Sequence, residues 1–320
     1  MAPPFETPVV LLIFNRPVET AAALAAIRAV RPNRLLIVAD GPRPGRADDL
    51  GACAAARAAA GAVDWPCAVE WLESTTNLGC RGRVASGLDW VFERVEEAVI
   101  IEDDCLPDPS FFRFCADLLA RYRFDPTVMS ICGHRCDGPD EHDGPSYVAS
   151  RYPSSWGWAT WRRAWQLYDP TLAHWPQLRA TDWLETILSD PAAVTYWRLT
   201  FDQAAAGVDT WDHAWLFAHW LHRAAALRPR VNLVRNVGFG ATATHTRDAS
   251  HPLAARPAAA VSFPLRHPEG DGRDEAFDRR LEWVLFSGMH RRALVEAHHR
   301  ISALRRRSAT SQYIDRCSAK

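Results

Sequence analysis

Three nearly continuous apolar runs, PVVLLIF (8–14), RLLIVA (34–39) and AVII (98–101), each stop abruptly at polar residues, and no other feature constrains the fold as tightly. A strand covered on one face alternates apolar with polar residues. A continuous run needs cover on both faces, which is the situation of strands in a parallel sheet. Helical patterns fill the intervals, over Val18 to Val30, about Ala47 to Ala60, and Arg83 to Val95, with a weaker strand signal from Cys67 to Leu72. Strands alternating with helices at this spacing predict an α/β fold, a Rossmann-like mixed sheet flanked by helices on both faces.

From about residue 125 the character changes. Strand-like pieces at Val128 to Cys132 and Tyr147 to Ser150 alternate with Trp-rich helical segments, and Arg230 to Val234 reads as a last strand. Pro252 to Pro264 reads as a loop, and a helix with a basic end is predicted from about Glu275 to Arg307. The organisation expected is therefore a first half over 1–125, a second half over 126–250 and a C-terminal extension over 251–320. With 37 basic against 38 acidic side chains, and a formal net charge of −1, the chain is not built to grip nucleic acid over its whole surface. No run of about 18 uncharged apolar residues occurs and the N-terminus lacks a signal-peptide profile, which predicts a cytoplasmic chain. Eight cysteines without a CxxC pair read as reduced small hydrophobes, and Cys132, His134 and Cys136 lack the spacing of common zinc knuckles.

Ligands of open parallel sheets bind beyond the carboxyl ends of the strands. Three such ends are polar here: Asn15-Arg16, Asp40-Gly41 and Glu102-Asp103-Asp104. The triplet is the sharpest signal, because three consecutive carboxylates repel one another unless a cation or a hydrogen-bonded ligand joins them, and a hard divalent metal is the usual solution. Strand alternation would point Glu102 and Asp104 to one face and Asp103 to the other. The alternative is a solvated acidic turn, or a cap for the helix beginning near Pro109. No G-x-G-x-x-G and no P-loop follows the first strand, so a diphosphate would have to be held by a metal on carboxylates rather than by a glycine cradle.

These residues resemble a family. A buried strand ending in Asn-Arg, a second ending in Asp-Gly, and VIIEDDCLPDPSFFRFCADLL (99–119) are similar to the nucleotide-sugar region of GT-A fold glycosyltransferases, notably N-acetylglucosaminyltransferase I and related bacterial enzymes. The likeness continues in order through SSWGWATWRRAW, TWDHAW (210–215) and RVNLVRNVGFGATATHT (230–246), covering roughly 8–247. It implies a GT-A-like fold and metal-dependent, inverting transfer of a hexosyl or N-acetylhexosaminyl group from a nucleotide-diphosphate sugar to a glycan or lipid-linked acceptor. By the same resemblance Asp104 would hold Mn²⁺ or Mg²⁺, with His245 as a further contact to the metal or diphosphate. Glu102 and Asp103 would meet the sugar and ribose, and Arg16 and Asp40 the nucleotide. Asp212 would be the catalytic base. The family carries two adjacent acids there, whereas this chain has Asp212 followed by His213, so His213 and the nearby Asp209 stay open as bases. Rival readings are a non-catalytic sugar-binding relative and a sugar nucleotidyltransferase.

Ten of the 14 tryptophans fall between Trp156 and Trp220. Trp156, Trp158 and Trp211 are expected to offer aromatic faces to a sugar, with the others packed in the core. Trp161 and Trp165 stand one helical turn apart, and of Trp211 and Trp215 one is expected to be buried. Arg81 and Arg83 suit phosphate oxygens or a solvated helix start. Arg291, Arg292, Arg300 and Arg305 to Arg307 would give a basic helix, either docked on the protein or lying on an anionic membrane at the cytoplasmic face.

Overall fold

A computed structural model describes residues 4–141, 143–239, 256–270 and 272–290. Its first half consists of β1 (Val9–Ile13), α1 (Pro17–Arg28), β2 (Arg34–Ala39), α2 (Ala47–Ala60), β3 (Ala68–Glu73), α3 (Gly79–Phe92) and β4 (Glu97–Glu102). After a short β5 (Cys105–Pro107), α4 (Pro109–Arg121), β6 (Val128–Cys132), β7 (Tyr147–Ser150) and β8 (Trp158–Trp161) follow. The chain continues through α5 (Arg162–Trp165), α6 (Trp175–Leu178), α7 (Pro191–Ala205), α8 (Asp212–Leu221), β9 (Ala225–Pro229) and β10 (Val234–Asn236), and a helical run occupies 275–290.

Eight strands form one mixed sheet in the order β3-β2-β1-β4-β8-β6-β9-β7, and β5 pairs with β10 separately. The apolar runs do what continuous runs require. In β1 all five residues are buried, and successive side chains serve opposite faces: Val9, Leu11 and Ile13 pack with α1 and α4, whereas Val10 and Leu12 pack with α3 and α8. Each such side chain contributes roughly 1.5–3 kcal/mol through burial. A third apolar cluster, which takes in Val148 of β7, joins α7, α8 and the helical run through Trp197, Phe201, Trp220 and Phe277.

Chain order places the site. Strands β1, β2 and β3 step outward in one direction, and β4 then returns to the other side of β1, parallel to it. The crevice beyond the carboxyl ends of β1 and β4 is therefore the switch point of the sheet. Beyond β4 the neighbouring β8 runs antiparallel and closes that side.

Two sequence expectations need correction. Arg230 to Val234 is not a strand: the strands are β9 and β10, joined by an irregular segment between them. Trp161 does not begin a helical face with Trp165; it ends strand β8, and α5 starts at Arg162.

Helix α8, which presents Asp212, is anchored by a buried histidine. Nδ1–H of His219 donates to the Trp215 carbonyl, and Nε2 accepts from the Ser130 hydroxyl in β6, both at 2.8 Å. This arrangement suits a neutral ring, and burial pushes the His219 pKa down to about 4. In the unfolded chain His219 takes up a proton near pH 6.5, so its contribution is complete above that pH and is lost as pH falls toward 4. On that shift the loss is about 3 kcal/mol. Urea unfolding from pH 7 to 4 is expected to show this decline in the native protein and a shallower one in His219→Gln; parallel curves would contradict the assignment.

Candidate functional site

The acidic turn is pinned where β4 ends. Glu102 is the last residue of β4, Asp103 and Asp104 form the turn, and Cys105 opens β5. Because the turn breaks strand alternation, Asp103 and Asp104 do not diverge. Arg16, just beyond β1, reaches both, at 2.8 Å from Asp104 Oδ2 and 3.6 Å from Asp103 Oδ1. The Phe14 amide also donates to Asp103 Oδ2, at 3.3 Å. The polar ends of β1 and β4 thus meet across the switch point.

Neither alternative reading of the triplet fits this geometry. The side chains of Asp103 and Asp104 are only 11% and 15% exposed, so the turn is not solvated. The cap of α4 is Asp108, which accepts from the Ser110 amide at 2.8 Å ahead of Pro109 in the first turn. Burial, followed by Asp104, Asp103 and Asp212, holds the Glu102 carboxyl well above the usual range, while Arg16 opposes the shift. Burial and then Asp104 likewise push Asp103 up. Glu102 Oε1 is buried without a hydrogen-bond partner.

A loop covers the turn. Asn236, in β10, donates to Asp104 Oδ1 at 3.3 Å, and the Val237 amide donates to the Asp104 carbonyl at 2.8 Å. Gly238 lies so close that any Cβ there would overlap the Asp104 carboxylate. Its amide is held by Asn236 Oδ1 at 2.7 Å. The rest of this loop, with His245, lies outside the described residues, as does the basic run from Arg291 to Arg307.

Asp40 stands at the end of β2 with its carboxylate engaged. It accepts from the Gly41 amide (2.8 Å), the Leu78 amide (2.9 Å) and Asn77 Nδ2 (2.8 Å), fastening the 76–78 loop beside the strand end. Asn15 instead joins Asp49, which also takes a two-pronged contact from Arg43 at 2.6 and 2.8 Å. That contact holds the Asp49 carboxyl well below the usual range. Arg81 and Arg83 are committed to the carbonyls of Pro170 and Leu72.

The second half contributes a cavity of about 190 Å³ whose lining includes Tyr152, Trp156, Tyr196, Trp197, Trp211 and Trp215. Asp212, His213, His134 and Arg228 add polar groups to that lining. Eight of the ten clustered tryptophans are buried, Trp211 and Trp215 among them, so neither of that pair is the exposed one. Trp158 is fully buried and does not line the cavity; it stacks behind Trp211 with ring centroids 5.3 Å apart. Trp156 does line it, packed on His134 at 4.2 Å and on Phe239 at 5.6 Å. Gly157 makes this position accessible: φ is +60°, and a Cβ would stand 2.7 Å from Val234.

The three carboxyl or imidazole groups near Trp211 differ in how much of their bonding capacity is used. Asp209 accepts from the Cys80 and Arg81 amides at 3.1 and 2.8 Å, capping α3 with both oxygens. Asp212 uses Oδ1 for the Thr210 hydroxyl and the His213 amide. Its Oδ2 accepts no hydrogen bond among the described residues, and the residue is exposed at the cavity rim. His213 packs edge-on against Trp197. Burial, and then the charges of Glu102, Asp212 and Asp209, raise the Cys80 thiol.

Among the described residues no group of three or more His, Cys, Asp or Glu side chains is placed to hold a metal ion. A small hard cation needs only one or two carboxylates when substrate phosphates supply the remaining oxygens. Buried neighbouring carboxylates and the orphaned Glu102 Oε1 match that need. No helix among the described residues is long and apolar enough to cross a membrane. Sequence reasoning weighed His134 only as a zinc ligand and missed Arg228, for which the arginine inside the apolar stretch AAALRP was the available signal.

No protein-family model matches the chain, and no curated protein matches it. Among solved structures, that of UDP-glucose pyrophosphorylase complexed with UDP-glucose is similar to 51% of this chain and 78% of its own, at 11% identity and a TM-score of 0.31.

Proposed function

We propose that this chain is a metal-dependent, inverting glycosyltransferase that moves a sugar from a nucleotide-diphosphate sugar to a glycan or lipid-linked acceptor. The observation that carries the reading is the buried acidic turn held by Arg16 at the switch point of the sheet, in a fold that also places Asp212 at the rim of an aromatic cavity. Asp104 would hold Mn²⁺ or Mg²⁺, with His245 as a further contact. When bound, the cation supplies positive charge to the departing diphosphate. Arg16 orients the acidic turn and adds a positive charge beside it. Asp103, with Glu102, would contact the sugar and ribose, and Asp40 shapes the nucleotide side by holding the 76–78 loop.

In inverting transfer the acceptor hydroxyl attacks the anomeric carbon as its proton leaves, and no protein nucleophile is needed. Asp212 Oδ2 would receive that proton. Trp156 and Trp211 would present apolar faces to the sugar ring.

A thermal-shift screen of nucleoside diphosphates tests this. At a concentration about 100 times Kd, one of them with Mn²⁺ is expected to stabilise the protein by about 2.7 kcal/mol, and to do so far less in EDTA. Incubation with the corresponding nucleotide sugar then separates the rival enzyme: release of nucleoside diphosphate supports transfer, whereas pyrophosphate-dependent formation of nucleoside triphosphate identifies a nucleotidyltransferase. No shift with any nucleotide, with glycan binding retained, identifies a binding module.

A further inference from the structure

The cavity holds a buried positive charge that no carboxylate of the described residues pairs with. Arg228 lies on β9, is 1% exposed and lines the cavity. Its NH1 donates to the Tyr152 carbonyl at 3.3 Å and its NH2 approaches Cys136 Sγ at 3.7 Å, while its Nε has no partner. No carboxylate oxygen of the described residues lies within 4.0 Å of its guanidinium. Of the other two buried arginines among the described residues, Arg135 pairs with Asp137 and Glu141, whereas Arg83 also lacks a carboxylate partner but donates to the Leu72 carbonyl and does not line the cavity. Burying a charge without a counter-charge is costly, and the cost is relieved when an anion binds.

The remaining orphaned polar atoms in the lining are also nitrogens. His134 Nε2, Trp197 Nε1 and Trp215 Nε1 are buried without partners. Burial, then Arg228, holds the His134 ring neutral. Among the described residues the lining has one carboxylate, Asp212, which is exposed at the rim and makes no ion pair with Arg228. A ligand carrying negative charge would supply the counter-charge that Arg228 lacks among the described residues, and its oxygens could accept from indole N–H groups of the lining.

We propose that the cavity selects a sugar bearing an anionic substituent, a carboxylate or a phosphate, with Arg228 as the cation that recognises it and His134 beside it. This names the acceptor class and rests on the transferase reading only in calling the bound sugar an acceptor. Arginine matches both anions through paired N–H donors.

Calorimetric titration of the full chain with glucose, glucuronate and glucose 6-phosphate tests it, run with and without nucleoside diphosphate and Mn²⁺. One of the charged sugars is expected to bind roughly 10–100-fold more tightly than glucose, the range for hydrogen bonds to a charged group. Which one wins distinguishes carboxylate from phosphate. Arg228→Met should bring that ratio near one, and Arg228→Lys should restore part of it. Should the Met variant fail to fold, His134→Gln and the ratio in the unaltered protein carry the test. Equal affinity for glucose, or no saturable binding of either charged sugar, overturns the proposal. Because the charged-to-neutral ratio is read without nucleotide as well, its failure is separable from failure of the nucleotide screen.

Discussion

Asp212→Asn is expected to lower kcat by about 10²–10⁴-fold, the usual contribution of a positioned general base, while leaving nucleoside-diphosphate binding and thermal stability nearly unchanged. The separation follows from how the carboxylate is used. Oδ1 holds the Thr210 hydroxyl and the His213 amide at the start of α8. Asparagine keeps an acceptor oxygen for these bonds and the favourable start of the helix. Oδ2 is the atom left for chemistry, and replacing it with an amide removes the proton acceptor. At about 1.4 kcal/mol per tenfold, the loss corresponds to roughly 3–5 kcal/mol of barrier.

Asp209 provides the contrast. Its two oxygens cap α3 at Cys80 and Arg81, so Asp209→Ala should cost about 1 kcal/mol of stability and spare the chemical step. His213→Gln should have an intermediate or small effect. Kinetics under saturating donor, with unfolding curves for each variant, decide the matter. A kcat within threefold of the parent in Asp212→Asn, with collapse in either neighbour, would move the base to that neighbour.

The two halves of the chain were unequally legible in sequence for a physical reason. Parallel strands buried on both faces leave an unbroken apolar signature, which is why RLLIVA and the Ala-rich helix after it were read to their observed limits, β2 at Arg34–Ala39 and α2 at Ala47–Ala60. The antiparallel part lacks that signature. β9 contains two alanines, an arginine and a proline, and all five residues are nevertheless buried. β8 is four residues with a tryptophan at each end, which suits a helix pattern as well as a strand.

The site divided in the same way. The acidic turn announced itself because three carboxylates in a row after a buried strand are electrostatically costly. The reach of Arg16 to both aspartates depended on the chain turning at 103–104, which alternation does not foresee. The unpaired state of Arg228 is a statement about which carboxylates are distant, a tertiary fact with no local trace in sequence.

Asp104→Ala is expected to abolish the metal-dependent stabilisation by nucleoside diphosphate without lowering the stability of the ligand-free protein. Two effects on the free protein oppose each other. The variant loses the Arg16 ion pair at 2.8 Å and the Asn236 contact at 3.3 Å. It also removes a negative charge that raises the proton affinity of both Glu102 and Asp103. Arg16 keeps Asp103 as a partner, at 3.6 Å, so no buried cation is stranded. A site that holds like charges together for a ligand spends stability on function, and removing one charge commonly returns some of it. The ligand-bound protein has no such compensation, because the carboxylate that would hold the cation is gone. The shift of about 2.7 kcal/mol expected at 100 times Kd should therefore fall to near zero, with unfolding midpoints in Mn²⁺ and in EDTA becoming equal. A variant that retains the Mn²⁺-dependent shift would remove Asp104 from the metal site. One that unfolds several kilocalories per mole more easily without ligand would mark the turn as structural, with Asp104 serving the fold rather than a cation.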